Sequence, residues 1–239
     1  MKKTSSHKKM TFFLLCIGIF LLLSCAENRT RATQHPIAEA TIETLEVYKI
    51  PDIQEEKDMI IIDSNYTFEE AIAGTRAPQE IIDQLELIEV RYLSTTGRIH
   101  QGQIVANRRI AQDIREIFEF MLEHGFIIEQ AVPIVRYNWC DTISMDVNNS
   151  HSFNYRKIAG TNVLSLHATG MAIDINPRFN PVRWRNNERP NQPEGAVHDP
   201  TVNGTLYPGH PVVEEFRRRG FHWGHWFRRF YDDHHFERR

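Results

Sequence analysis

Two short stretches of the sequence hold residue types that can bind a metal ion. The first is Ser-Leu-His-Ala-Thr-Gly-Met-Ala-Ile-Asp, from Ser165 to Asp174. Gly170 can close a turn after His167, and in the strand that follows Ala172 and Asp174 point to the same face. The imidazole of His167 and the carboxylate of Asp174 can therefore reach one point. Zinc accepts both kinds of atom at about 2.0–2.2 Å, but a catalytic zinc site needs a third protein ligand.

The second stretch, Asp232 to Glu237, can supply that third ligand through His235. A zinc ion lowers the pKa of a bound water to ~7, and a carboxylate within reach can take the proton as general base. Asp232, three residues before His235, is the candidate for this role. On the residues alone, other interpretations stay open. A single histidine is usually structural, and the histidines from His222 to His235 can be plain surface or adventitious metal binders.

Patterns of apolar residues predict the elements that must hold these stretches in place. Helical spacing predicts a helix from Ile110 to Met121 that ends near Gly125, and another from Val212 to Arg219 that is stopped by Gly220. Other patterns predict a short helix after Pro78, a hairpin between Ile88–Thr95 and Gln103–Ala106, strands at Ile134–Trp139 and Met171–Ile175, and a long polar loop over 140–165. Helices and hairpins are mixed along the chain, so the predicted fold class is α+β.

The composition is that of an ordinary soluble globular protein. Of 239 residues, 41% are hydrophobic and 25% are charged, and the formal net charge is −3. Residues 1–24 contain four lysines and no acid, so the remainder of the chain is more acidic than the total indicates. A nucleic-acid partner requires a basic footprint, and we therefore expect none.

Residues 1–24 have the features of a targeting segment. Four lysines precede the apolar run Met10–Leu23, which suits a signal peptide and is short for a membrane span. The run leads into Leu-Leu-Ser-Cys, which resembles the lipobox of bacterial lipoproteins. That resemblance implies cleavage before Cys25 and lipid on its sulfur. An uncleaved membrane anchor and a plain secretory signal are the alternatives.

Taken together, the two metal-binding stretches resemble the motifs of a zinc metallopeptidase family. Ser-x-His-x-x-Gly-x-Ala-x-Asp, followed downstream by Asp-x-x-His-Phe-Glu, is similar to the pattern of D-Ala-D-Ala carboxypeptidases, L-alanyl-D-glutamate peptidases and vancomycin-resistance D,D-dipeptidases. Stretches between Ser144 and Pro181 resemble the D-alanyl-D-alanine carboxypeptidase-like subgroup. The likeness covers about residues 80–239.

The resemblance implies roles for individual residues. His167, Asp174 and His235 would bind Zn²⁺, Asp232 would be the catalytic base, and Ser165 would contact substrate. It also implies the family's fold, a small antiparallel sheet flanked by helices that is shared by Hedgehog proteins and D,D-peptidases. This fold agrees with the α+β pattern of the sequence.

A peptidase that acts near a free C-terminus needs a cation for the substrate carboxylate, and a guanidinium binds it bidentately. Arg156 is the first candidate and Arg136 the second; for either, a solvated surface charge is the alternative. Two features depart from the family. Trp-Gly-His-Trp at 223–226 is one residue shorter than the Trp-Gly-Gly-x-Trp of many members. Asp232 and Asp233 are adjacent, so that spacing alone selects Asp232 as the base. His234 is not expected to be a ligand, because its neighbour occupies the motif position.

The chain is thus divided into a signal peptide (1–24), an acidic tether (25–77) and a zinc peptidase domain (78–239), although Met59 to Ile62 has the composition of a strand that docks on the domain. After cleavage and acylation Cys140 is the one cysteine left for the domain. We expect it to be a small buried residue and not a nucleophile.

The predicted function is zinc-dependent hydrolysis of peptide bonds in peptidoglycan stem peptides, first of all as a D-Ala-D-Ala carboxypeptidase. The alternatives are an L-alanyl-D-glutamate-type endopeptidase and, from another class, a zinc-stabilised module that binds wall peptide without cutting it. A lipoprotein whose polar loop docks a protein partner ranks last. The expected location is the bacterial cell envelope, with attachment to the membrane through lipidated Cys25.

Overall fold

Short strands and helices alternate along the computed structural model of the protein, which describes residues 59–186 and 188–239. The strands and α-helices are, in chain order, β1 (Ile61–Ile62), α1 (Phe68–Ala71), α2 (Gln79–Ile82), β2 (Leu85–Leu93), β3 (Ile99–Asn107), α3 (Arg108–Glu123), β4 (Gln130–Ala131), α4 (Asp141–Asp146), β5 (Asn149–Ser150), β6 (Ala172–Asp174), β7 (Val182–Trp184), α5 (Pro211–Arg218), β8 (His222–Trp223), β9 (Phe230–Asp232) and β10 (His235–Glu237). Three 3₁₀ helices lie at Ile134–Tyr137, Leu166–Thr169 and Gly224–Trp226. Among the described residues, no helix is long and apolar enough to cross a membrane.

The long hairpin of β2 and β3 and the helix α3 form the framework of the domain. The two strands pair antiparallel over their whole length, from Leu85 opposite Asn107 to Leu93 opposite Ile99. Asn107 caps α3, since its side chain accepts a hydrogen bond from the Arg109 amide. The predictions of the hairpin and of this helix are confirmed, as are the short α2 after Pro78, the strand β6 and the helix α5.

The apolar face of α3 packs on the hairpin and forms the main core. Ile110, Ile114, Ile117 and Phe118 are essentially inaccessible to solvent and lie in one cluster with residues of β2, β3, α5 and β10. Burying a side chain of this size contributes about 1.5–3 kcal/mol to folding. This core joins the hairpin to a second sheet, ordered β6–β10–β8, which carries two of the three predicted metal ligands, Asp174 and His235.

Residues 59–77, predicted to belong to the tether, are part of the folded domain. β1 pairs parallel with β3, with Ile61 opposite His100, as expected for the apolar run beginning at Met59. Ala71 is buried in a second cluster with Leu85, Val105 and Phe153. The acidic composition hid this, because a few apolar side chains dock the segment while Glu69 and Glu70 stay in solvent and Asp63 is paired with His100. The remaining predictions for the N-terminal part, including the signal peptide and Cys25, lie outside the described residues.

The strand predicted at Ile134–Trp139 is wrong. These residues begin with a 3₁₀ helix, Ile134–Tyr137, that starts after Pro133. Asn138 and Trp139 then take positive φ angles of 52° and 63°, which no strand continues through. The polar stretch 140–165 also contains more structure than predicted, namely α4 and β5.

Strand pairs are mainly antiparallel and are mixed with helices, but the pairs β1–β3 and β4–β5 are parallel. The likeness to the Hedgehog and D,D-peptidase fold stays a prediction.

Gly102 provides a test of how the framework is joined to the loop that approaches the metal centre. A Cβ atom built at Gly102 would lie 1.9 Å from the backbone oxygen of Ala131 in β4. We therefore expect Gly102→Ala to push β4 away from β3 and to lower the free energy of unfolding by about 2–4 kcal/mol. Gly125→Ala is the control, because its Cβ meets nothing within 4 Å, although its positive φ of 64° carries a strain of roughly 1 kcal/mol. Urea denaturation measures both; equal losses would contradict the clash.

Candidate metal centre

Local structure at His167 follows from the turn that the sequence contains. Ser165 stands at the N-cap of the 3₁₀ helix Leu166–Thr169 and accepts a hydrogen bond from the amide of His167. Gly170 closes the turn with a φ of +66°. Gly170 has no room for a side chain, since a Cβ atom built on it would lie 2.7 Å from the backbone nitrogen of Asn107. The turn therefore fits closely against the framework and fixes where the imidazole of His167 stands.

The second sheet supplies the other two predicted ligands. β10 pairs antiparallel with β6, and His235 lies directly opposite Asp174. Side chains of directly opposed residues point to the same face of a sheet, about 4.5–5.5 Å apart at Cβ. Residues that are 61 positions apart in the chain therefore meet through strand register.

The three predicted ligands form a small buried triangle. His167 Nε2 is 3.1 Å from Asp174 Oδ1 and 3.0 Å from His235 Nδ1, and the third side, from His235 Nδ1 to Asp174 Oδ1, is 3.0 Å. All three residues are buried. Tetrahedral ligands at 2.0–2.2 Å from one zinc ion are about 3.3–3.6 Å apart. A small outward movement brings the triangle to that size.

Hydrogen bonds on the outer side of both rings show that the triangle fits a cation. His167 Nδ1 lies 2.6 Å from the carbonyl oxygen of Ser152, which can only accept, so Nδ1 carries the hydrogen. His235 Nε2 lies 3.2 Å from Glu237 Oε2 and donates to it. In the neutral rings the inner nitrogens then present lone pairs towards the Asp174 carboxylate. Three acceptors that face one another at 3.0–3.1 Å suit a divalent metal ion, held with the carbonyl and carboxylate support usual for metal-bound histidines.

The electrostatics of the triangle also favour a positive charge. Burial alone would raise the pKa of Asp174, but the neighbouring His167 and His234 hold it well below its ordinary value. Burial alone would lower the pKa of His235, but hydrogen bonds to Asp174 and Glu237 raise it to about 10. A proton and a metal ion therefore compete for His235, so metal binding weakens as the pH falls.

Comparison with known proteins identifies the segment that carries this geometry. Residues 159–238 match the family model described as D-alanyl-D-alanine carboxypeptidase. This segment belongs to that peptidase family. The family assignment made from the two motifs is thereby confirmed. No curated protein and no solved structure matches the chain.

Asp232, the base that the carboxypeptidase family implies, lines the same cavity as two of the ligands. This cavity measures about 350 Å³ and is bordered by His167, His235 and Asp232. Asp232 Oδ1 also lies 3.0 Å from His234 Nε2, although the angle is poor for a hydrogen bond. The other ring nitrogen of His234 is 2.7 Å from the Asn180 carbonyl oxygen. His234 thus lies against Asn180 and the proposed base.

Arg156 and Ser165 are brought to this cavity, whereas Arg136 is not. Both of the former line it, and Arg156 Nη2 is held 3.1 Å from Asp141 Oδ2. Arg136 instead donates to the backbone oxygen of Asp63. Cys140, predicted to be buried, is partly exposed at the N-cap of α4, and it is a free thiol.

The shortened Trp-Gly-His-Trp sequence is tied to the residue after Asp232. The carboxylate of Asp233 is fully buried, with one oxygen 2.6 Å from His225 Nδ1 and the other 2.6 Å from Arg183 Nε. Burial would raise the pKa of Asp233, but these two partners lower it. Position 224 requires a glycine, because a Cβ atom built there would lie only 2.8 Å from backbone and side-chain atoms of Asp232. The shortened Trp-Gly-His-Trp sequence therefore supports the turn that holds Asp232.

Sequence reasoning missed two residues at the centre. Glu237, the hydrogen-bond partner of His235, stands at the end of the motif, and strand alternation would have placed both on one face. His151 lies deep beside the triangle, and ligand atoms of His151, His167 and Asp174 all lie within 4.8 Å of one another. Its surroundings are Asn- and Ser-rich, and they carry no readable strand pattern.

Proposed function

We propose that the protein is a zinc peptidase that hydrolyses peptide bonds in peptidoglycan stem peptides, with a D-alanyl-D-alanine end as the preferred substrate. One observation carries the proposal. The buried triangle of His167, Asp174 and His235 opens into a cavity that Asp232 also lines, and all four residues lie in the segment of the carboxypeptidase family. A module that only binds peptide has no use for the carboxylate of Asp232.

Each residue of the centre has a defined task in this proposal. His167, Asp174 and His235 would hold zinc, which when bound acts as a Lewis acid towards the amide carbonyl and acidifies water. The carboxylate of Asp232 takes the proton of the attacking water and passes it to the leaving amine. Glu237 and the carbonyl of Ser152 keep the two imidazoles in the required tautomers.

The walls of the cavity suit a small, uncharged side chain next to a carboxylate. Ile158, Leu164, Phe227 and Phe230 supply apolar surface, and the guanidinium of Arg156 supplies the cation. The methyl group of a terminal D-alanine suits the apolar surface, and its free carboxylate suits the guanidinium of Arg156. Asp141 holds Arg156 without covering it, since the arginine side chain keeps 30% of its exposure.

Removal of the Arg156 charge tests this substrate end. We expect Arg156→Gln to raise KM for a stem pentapeptide with a free C-terminus by about 10–100-fold, because a charge-assisted pair is lost. The same peptide with an amidated C-terminus is the control, and its already weak cleavage should change less than threefold. Steady-state kinetics on both peptides measure the effect. Equal losses on both would remove Arg156 from carboxylate recognition.

An endopeptidase is the second candidate. A neighbouring cavity of about 550 Å³ shares Phe227, Glu237 and Arg239 with the metal cavity. A peptide that continues past the cut bond would have room there. The choice between the two activities depends on which part of the substrate, before or after the cut peptide bond, lies in each cavity.

Product analysis on defined stem peptides separates these candidates. Zinc-loaded protein is incubated with a pentapeptide stem and with a cross-linked muropeptide, and the products are identified by mass spectrometry. Release of D-alanine supports the carboxypeptidase, and internal cuts support the endopeptidase. Chelator should abolish either, and added zinc should restore it. Peptide binding without any cleavage would instead support the non-catalytic module and overturn the proposal.

The cellular setting is part of the proposal as well. A lipid on Cys25 would fasten the protein to a membrane of the bacterial envelope, where stem peptides are found. Labelling with a radioactive fatty acid, compared between the wild type and Cys25→Ala, tests the anchor.

A further inference from the structure

His151 forms one end of a row of three side chains across the sheet. A β-bridge places it opposite Asp174, with the Asp174 amide 2.9 Å from the His151 oxygen and the His151 amide 3.2 Å from the Asp174 oxygen. On the other side Asp174 lies opposite His235. Directly opposed residues project from the same face. The two histidines therefore flank the carboxylate from both sides.

The ring of His151 makes no hydrogen bond although it is buried, and Asp141 Oδ1 lies 3.6 Å from its Nε2, within ion-pair range. The residue is 1% exposed, and neither ring nitrogen makes a hydrogen bond to any residue in 59–186 or 188–239. Burying a polar group without a partner costs about 1–3 kcal/mol. A buried imidazole in this position indicates a ligand.

Asp141 does not fill that role. The distance from His151 Nε2 to Asp141 Oδ1 is 3.6 Å, beyond a hydrogen bond. The Asp141 carboxylate already receives Arg156 at 3.1 Å and the Asn154 amide at 3.2 Å. The ring of His151 is instead stacked on that of His167, with centroids 5.6 Å apart and planes inclined by 23°.

We propose that His151 is a fourth protein ligand of the metal centre, which would then consist of three imidazoles and one carboxylate. This inference rests on the proposed zinc site and adds a residue that the family motifs do not contain. Ligand atoms of His151, His167 and Asp174 lie within 4.8 Å of one another, and two tetrahedral ligands of one ion at 2.0–2.2 Å are about 3.3–3.6 Å apart. A movement of up to about 1.5 Å completes the set, and zinc accepts a fifth position for substrate.

X-ray absorption at the zinc edge tests the ligand count directly. The zinc-loaded full chain should show three imidazoles, while His151→Gln and His151→Phe should show two. His100→Gln is the matched control, because His100 is also buried but pairs with Asp63 in the other sheet, and it should keep three. Chelator competition should give a zinc Kd at least tenfold weaker in both His151 variants and unchanged in the control.

The outcomes distinguish this inference from the function on which it rests. Two imidazoles in the wild type, or an unchanged zinc Kd in both His151 variants, would overturn the fourth ligand even if stem peptides are cleaved normally. If a variant fails to fold by circular dichroism, the wild-type count alone decides. A wild-type chain that binds no zinc at stoichiometric concentrations would overturn the metal centre itself, and the proposed function with it.

Discussion

Replacement of His167 by alanine is expected to remove the metal and the activity together. His167 touches both other members of the triangle, at 3.1 Å and 3.0 Å, and its outer nitrogen is fixed by the Ser152 carbonyl. Without it two ligands of the motif remain, or three ligands if His151 also binds the metal, and in either case the ligand that contacts both other members of the triangle is lost. We expect zinc affinity to fall at least about a hundredfold and kcat/KM to fall at least about 10⁴-fold, because the chemistry supplied by the metal is lost. Metal analysis after gel filtration and turnover on a stem pentapeptide measure the two effects.

His124→Ala is the control for this substitution. His124 is exposed at the end of α3 and stacks on Phe120, far along the chain from the triangle. The variant should keep its zinc and its turnover within a factor of two. A His167→Ala protein with full zinc content and normal turnover would show that the metal of catalysis is held elsewhere.

Prediction from sequence succeeded for elements whose conformation depends on residues close together in the chain. The helix α3 has its apolar residues at helical spacing over 16 residues, and Gly125 follows it with a left-handed φ. The turn of His167 is equally local, because Gly170 must adopt a conformation that other residues rarely take. For these elements the side chains that decide the conformation lie within a few positions of one another.

Pairing between distant strands could not be predicted in the same way. His151 faces Asp174 through a bridge between segments that show no apolar alternation. Asn148, Asn149 and Ser150 before it are buried polar residues, and the Asn149 amide is hydrogen-bonded to backbone of the neighbouring β4 segment. A polar sequence indicated a loop because burial of such groups is normally costly, whereas here the partners are supplied by tertiary structure. The same reason hid the docking of residues 59–77.

Replacement of Asp232 by asparagine is expected to leave the metal in place and remove catalysis. The side chain lines the cavity but is not part of the His–Asp–His triangle, and asparagine keeps its shape. Zinc content should therefore stay that of the wild type, while kcat falls by about 10²–10⁴-fold, the usual contribution of a general base. KM should change little, because Asp232 acts on the attacking water and not on the bound peptide.

Asp233, the neighbouring acid, provides the comparison for this experiment. Asp233 is adjacent to Asp232, but its carboxylate is fully buried between His225 and Arg183 and cannot reach a water in the cavity without breaking both contacts. Asp233→Asn should therefore reduce stability and disturb the turn that bears Asp232, and melting experiments should detect it. It should not produce the combination of native stability, full zinc content and lost kcat that we expect of Asp232→Asn. Full turnover in Asp232→Asn would remove it as the base and would point to Glu237, the other carboxylate that lines the cavity.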